Sequence, residues 1–132
     1  MTATFYDLQR DDNPRNRQVL NDQRSVVDLF DEIRLVQPPC MYQFVGDHGF
    51  SLTVGVDRTS EYVQHSTNDG SPPYLMATAS SPDDRDMSFL IGDTAIPIAG
   101  RYRLPSELVR QIVTAFVESG DRMAGINWIE FQ

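Results

Sequence analysis

Lysine is missing altogether: every one of the eleven basic residues in this 132-residue chain is arginine. Nineteen acids outnumber them, leaving a net charge of −8 and a pI near 4.5. A chain so short of positive charge is not built to grip a phosphate backbone, which needs a basic face. Cysteine is nearly absent as well. Cys40 alone excludes an internal disulfide and a thiolate metal cage. No apolar run approaches the ~20 residues of a membrane helix. The opening stretch MTATFYDLQRDD also lacks the basic-then-apolar order of a secretion signal. A cytoplasmic location is therefore expected. The missing lysine is read as codon composition, whereas the acidity points toward a basic partner.

Signature motifs of catalysis are also lacking. There is no GxSxG, HExxH or CxxC, and Gly46-x-x-Gly49 joins two strand-like segments instead of leading into a helix. Without a helix N-terminus behind it, such a loop cannot cradle a phosphate. Repeats, low-complexity tracts and internal linkers are absent too.

What is present is an ordinary globular mix, 40% apolar and 23% charged. A chain of this length buries roughly two-thirds of the surface it exposes when unfolded. One domain over residues 1–132 is expected. Residues 2–8 favour a strand, and 10–16 read as a polar loop. Val26, Leu29, Phe30 and Ile33 repeat at i, i+3, i+4, i+7, which predicts a helix over about 22–35, capped by Asn21 or Asp22. From Cys40 to Ile98 the period falls to two. Strands are expected at 40–45, 50–56, 61–65, 74–78, 87–91 and 94–98, separated by turn signals such as Gly46–Gly49 and Asn68–Gly70. In 50–56, Ser51, Thr53 and Gly55 should line a wet face. Pro105 opens a second helix with stripe Leu108, Ile112, Ala115 and Phe116, and Gly120 suits its left-handed cap. A last strand covers about 126–131. The order β-α-β(4–5)-α-β predicts an α+β fold: an antiparallel sheet of about six to seven strands with two helices on one face.

Reactive residues are few. His48 and His65 are the only histidines. With Asp57 or Asp69 they could serve a small enzyme, but nothing in their spacing brings them together. Cys40 suits the role of a small buried hydrophobe. Neither a metal nor a cofactor is expected. Acids gather in turns: Asp57, Glu61 and Asp69 around neighbouring turns, Asp83, Asp84 and Asp86 in one loop, and Asp93 in another. Solvation accounts for most such clusters, while a protein-binding face is the sharper reading.

The C-terminal part carries a resemblance. Phe89–Gly92, Ile96-Pro97, the proline-started helix, Phe116-x-Glu118-x-Gly120 with Arg122, and Trp128 followed by Glu130 are similar to immunity protein family one of bacterial polymorphic toxin systems. Leu52–Val56 with Asp57 matches as well, so the likeness covers about residues 44–131. It implies an α+β inhibitor, not an enzyme, that binds a co-encoded toxin, frequently a nucleic-acid deaminase or a nuclease-like effector. Phe116, Glu118, Gly120 and Trp128 then mark a helix exit and a packed strand.

An acidic inhibitor can steer itself onto the basic groove of such a toxin and block it. The expected contacts are exposed turns and strand ends: Asp57, Glu61, Asp69, Asp83, Asp84, Asp86 and Asp93, with Tyr62 and Tyr74 as aromatic anchors. An adaptor of a secretion apparatus, binding a structural component and not a toxin, is the remaining alternative.

Overall fold

Both helices form where apolar spacing and end signals coincide. In the computed structural model, which describes residues 1–79 and 85–131, helix α1 spans Gln23–Ile33. The Asp22 carboxylate accepts the Ser25 N–H at 2.8 Å, and the Ser25 hydroxyl accepts the Asp22 N–H at 3.3 Å. This reciprocal pair satisfies donors that the first turn leaves free. Helix α2 spans Ser106–Ser119. Pro105 takes the position before the first turn, with φ −65° and ψ 145°, instead of the first helical position. Its carbonyl accepts the Val109 N–H at 3.1 Å. Gly120 closes α2 at φ 76°, donating to the Phe116 carbonyl at 2.8 Å.

The strands are β1 (Ala3–Asp7), β2 (Val19–Leu20), β3 (Cys40–Gly46), β4 (Phe50–Val56), β5 (Tyr62–Thr67), β6 (Leu75–Thr78), β7 (Met87–Ile91), β8 (Thr94–Ile98) and β9 (Asn127–Glu130). Seven of them run side by side in the order β2-β1-β3-β4-β5-β6-β9, every pairing antiparallel. The α+β class holds, with nine strands among the described residues against the expected six to seven. β2 is two residues long and leaves no readable period. It is held by the Phe5 N–H donating to the Gln18 carbonyl and the Arg17 N–H donating back to the Phe5 carbonyl.

The β7–β8 hairpin departs from a simple meander. Among the described residues its strand pairing with the main path is one parallel bridge, Cys40 opposite Leu90. Alternation explains why. Cys40, Tyr42 and Phe44 of β3, Leu52, Val54 and Val56 of β4, and Val63 of β5 join one core with Val26, Leu29, Phe30 and Ile33 of α1 and Val109, Ile112, Val113 and Phe116 of α2. The opposite parity sends Met41, Tyr62 and Met76 into a second core with Met87, Phe89 and Ile98 of the hairpin and with Tyr102. The sheet thus has helices on one face and the hairpin over part of the other.

This corrects the wet face expected of β4. Ser51 is 1% exposed, and Gly55 is buried beneath the hairpin. A Cβ at Gly55 would lie 2.4 Å from Cε1 of Tyr62 and 3.0 Å from Cδ1 of Phe89. Only hydrogen fits there. Among the described residues, no helix is long and apolar enough to cross a membrane.

Candidate functional site

The strand directions define two ends of the sheet. At one end lie the last residue of β4 and the first of β3 and β5. At the other lie the β3–β4 turn, the β5–β6 turn and the chain leaving α2. With strands of six or seven residues rising about 3.3 Å each, the ends are roughly 20 Å apart.

Asp57 marks the first end. Its carboxylate accepts the Arg58 N–H at 2.7 Å and the Gln37 side-chain amide at 3.3 Å. Asp69 marks the second, accepting the Thr67 hydroxyl at 2.5 Å and the Ser71 N–H at 2.9 Å. Those hydrogen bonds hold the Asp69 carboxyl below the usual range. Tyr74, half-buried, donates its hydroxyl to the Gly70 carbonyl of the same turn. The other expected contacts scatter. Asp86 is exposed at the start of the hairpin, where it accepts the Gly100 N–H at 3.3 Å, and Asp93 is exposed at the hairpin tip. Asp83 and Asp84 lie outside the described residues.

Glu61 and Tyr62 do not lie where an exposed contact face requires them. They are 1% and 2% exposed. Tyr62 is an aromatic anchor of the second core, its ring edge-on to Phe89 at 5.3 Å. Glu61 is drawn inside because its own carbonyl accepts the Leu104 N–H at 2.8 Å, which lays the chain entering α2 across it. One carboxylate oxygen accepts the Asp57 N–H at 3.3 Å, while Oε1 has no hydrogen-bond partner. Burial pushes this carboxyl up to about 7, against the pull of the Asp57 N–H, neighbouring Ser106 and the Arg110 and Arg34 guanidiniums. In sequence, Glu61 is one acid in a polar turn, and nothing there shows the segment that covers it.

The residues of the helix exit divide. Phe116 is 1% exposed, and its ring fills the space above Gly46, where a Cβ would lie 2.8 Å from Cζ. At Gly120 a Cβ would meet Met1 Sδ at 2.9 Å. Half-buried Trp128 donates its indole N–H to the Met123 carbonyl at 3.3 Å. Glu118 lies at the helix exit, in the last turn of α2, where it is exposed on the solvent side.

Sequence reasoning missed what the second end assembles. Asn68 ties two turns together, donating its N–H to the Gly49 carbonyl at 2.9 Å and its side-chain amide to the Gly46 carbonyl at 3.2 Å. The His48 ring lies 3.4 Å from where a Gly120 Cβ would be, so the exit of α2 joins the same rim. Asp47, Asp69 and Asp121 thereby stand exposed on three adjacent turns. Asp47 also sits below the usual range: desolvation, the largest single influence, raises it, but donation from Thr2 and the neighbouring His48 at 2.9 Å together outweigh it.

Inside this rim is a cavity of about 120 Å³, walled by Phe50, His65, Pro73 and Leu75, with Asp121 and Arg122 at its edge. The His65 ring stacks on Phe50 at 5.0 Å and meets Phe116 and Trp128 edge-on at 6.2 and 6.1 Å. Burial pushes His65 down to about 4; Arg122 adds to the fall and Asp121 opposes it. The imidazole is therefore neutral at physiological pH. The opposite end carries an open groove of about 900 Å³ lined by Thr59, Arg103, Leu108 and Ile126 among others.

The histidines, then, have different neighbours. Exposed His48 pairs with Asp47, and buried His65 is packed among rings. Buried Cys40 donates its thiol to the Pro38 carbonyl at 3.2 Å, and burial raises its pKa. Among the described residues, no three His, Cys, Asp or Glu side chains are grouped to hold a metal ion.

No curated protein matches the chain. The profile of the family described as Immunity protein Imm1 does match, over residues 8–130. The match spans nearly the whole chain and takes in both helices, the hairpin and the acidic rim, so the chain belongs to the Imm1 immunity-protein family.

Proposed function

We propose that this protein is an immunity protein that binds and neutralises a cognate bacterial toxin by covering its active site or substrate groove. The family match over residues 8–130 carries this reading. The toxin is one that acts on nucleic acid, a deaminase or a nuclease, because such an effector presents a basic groove. A −8 chain complements that groove and accelerates encounter. The inhibitor performs no reaction of its own and acts as one domain in the cytoplasm.

The contact face we assign is the rim of Asp47, Asp69 and Asp121, with Tyr74 beside it. Asp57, Asp86 and Asp93 are candidates outside this rim. Two turns tied by Asn68, with the exit of α2 packed against one of them, offer a preorganised surface, which loses less entropy on binding than separate loops would.

Co-expression with the toxin encoded beside it tests the reading. Growth should be restored, and the two chains should co-purify at equal stoichiometry. A toxin that remains lethal and forms no complex refutes it.

A further inference from the structure

A sheet edge presents backbone N–H and carbonyl groups, and an extended backbone is what matches them. We infer that the open edge of β9 pairs with an extended segment of the toxin, which adds a strand to the sheet and carries Lys or Arg opposite Glu130. The inference rests on the functional reading above and adds how the partner is held.

Register shows which groups are open. β9 ends the path of the sheet and pairs with β6, Ile129 opposite Met76 and Glu130 opposite Leu75. One residue further on, the Phe131 N–H donates to the Tyr74 carbonyl at 2.7 Å. Hydrogen-bonded and non-hydrogen-bonded pairs alternate along an antiparallel ladder. Ile129 therefore also turns its N–H and carbonyl toward β6, while Trp128 and Glu130 turn theirs outward. Among the described residues no backbone group pairs with those outward ones.

The other edges are blunted. β2, across the sheet, is two residues long, and its Leu20 is buried. β8 carries Pro97, which has no N–H to give an added strand. β9 has neither device. Its side chains also leave surface to cover: Trp128, packed on the helix-side core, and Ile129, packed on the hairpin-side core, are both only half-buried. An added strand would shield apolar surface on both faces of the sheet. At Tyr74, whose carbonyl Phe131 engages, this edge meets the acidic rim, so one partner can use both.

Charge then chooses between partners. Glu130 is the one charged side chain of β9, and it is exposed. In the chain leading to β9, Arg122 is balanced by its neighbour Asp121. A second copy would bring another Glu130 and another −8 to the same edge. A basic segment brings an opposite charge to the cross-strand position instead. Pairing also sets a pattern. The side chains opposite Glu130 and Trp128 share the helix face, and the one between them, opposite Ile129, lies on the hairpin face. The expected segment is therefore basic, apolar, apolar, read from Glu130 back to Trp128. Main-chain bonds supply affinity in such pairing, and alternate side chains supply specificity.

Hydrogen exchange of the wild-type chain, alone and with the toxin domain encoded beside it, reads these backbone groups directly. The Trp128 and Glu130 amides should exchange freely in the free chain and slow by at least about tenfold in the complex. Glu130→Pro removes one outward N–H without touching the bonds to β6, and it should speed dissociation by about tenfold. Glu130→Gln keeps that N–H and removes only the charge, so its effect should stay within about threefold. Amides that remain unprotected in a formed complex overturn the pairing, as does a folded Glu130→Pro variant that dissociates at the wild-type rate. Protection that appears without toxin and grows with protein concentration gives the edge to a second copy and overturns it too. A wild-type chain that forms no complex overturns the functional reading instead. Should Glu130→Pro fail to fold, the exchange measurement on the wild type decides alone.

Discussion

Glu61 and His65 lie four positions apart in sequence, yet they are buried beneath opposite ends of α2. Glu61 lies next to Ser106, in the first turn; His65 lies against Phe116, in the last. The helix dipole favours a carboxylate at the first site and an imidazolium at the second, typically by 0.3 to about 1 kcal/mol. Near neutrality His65 is uncharged, and Glu61 is divided between its charged and neutral forms. Burial raises Glu61 to about 7 and lowers His65 to about 4. Desolvation outweighs the dipole in both, which is why a favourable orientation does not by itself make a buried charge. The two sites then differ in what surrounds them. Glu61 has guanidiniums nearby and a backbone strap over it. His65 has rings, a cavity and an unpaired nitrogen. The first arrangement is covered by the chain entering α2, and the second borders a cavity of about 120 Å³.

The largest expected effect attacks the wall that His65 shares with α2. Phe116→Ala should cost about 3–5 kcal/mol, because the buried ring fills the space over Gly46 and its removal leaves a cavity there. A loss under about 1 kcal/mol by urea denaturation would show that the end packs without that ring.

Glu61→Gln breaks the comparison from the other side. The folded state binds this proton more tightly than the unfolded chain, about 7 against 4.5. Its contribution is therefore complete below pH 4.5 and lost as pH rises through 7. The amide avoids that loss, so the variant should gain about 2 kcal/mol over the wild type at pH 8, somewhat less than full conversion at ~1.4 kcal/mol per unit. Equal stabilities at pH 8 would mean that the carboxylate is well solvated there.

His65 has the opposite sign. Its folded value is about 4 against 6.5, so its contribution is complete above pH 6.5 and fades as pH falls toward 4. Between 4.5 and 6.5 the two slopes oppose one another in the wild type. In Glu61→Gln the His65 slope should stand alone, with thermal midpoints rising as pH climbs through that window. In His65→Phe the midpoints should fall instead. Parallel profiles in the two variants would refute the assignment.

The smallest effect on stability belongs to the rim. Replacing Asp47, Asp69 and Asp121 together with Asn should change stability by no more than about 0.5 kcal/mol, as exposed charges usually do. It should slow toxin association several-fold at low salt and hardly at all at high salt. An unchanged association rate at low salt would move the contact face elsewhere.

Much of this architecture is legible in the residues. The α1 stripe ends on Ile33, and the Pro38-Pro39 pair explains why it goes no further. Alternation from Phe50 to Val56 gives β4 residue for residue. Gly120 takes the left-handed cap that its place after an apolar stripe suggests. The candidate site is much less legible. A turn such as Gly46–Gly49 announces itself, but its neighbour across space does not. Asn68 joins two turns separated by 22 residues of chain, and no spacing rule reaches that far. Burial at Glu61 and Tyr62 is illegible for the same reason, since the chain entering α2 and the hairpin, both distant in sequence, supply the cover.

Local order in the chain determined the helices, most of the strands, the α+β class and the acidic character, because these depend on periodicity, end signals and composition. The motifs between about residues 44 and 131, Phe116, Glu118, Gly120 and Trp128 among them, carried the family resemblance without the structure. Tertiary structure alone decided which face of the sheet the hairpin covers, which carboxylates reach water and which histidine is left with an unpaired nitrogen beside a cavity. Each of those depends on contacts between segments far apart in the chain, and burial, which sets both the pKa of a group and its access to a partner, exists only once those segments have met.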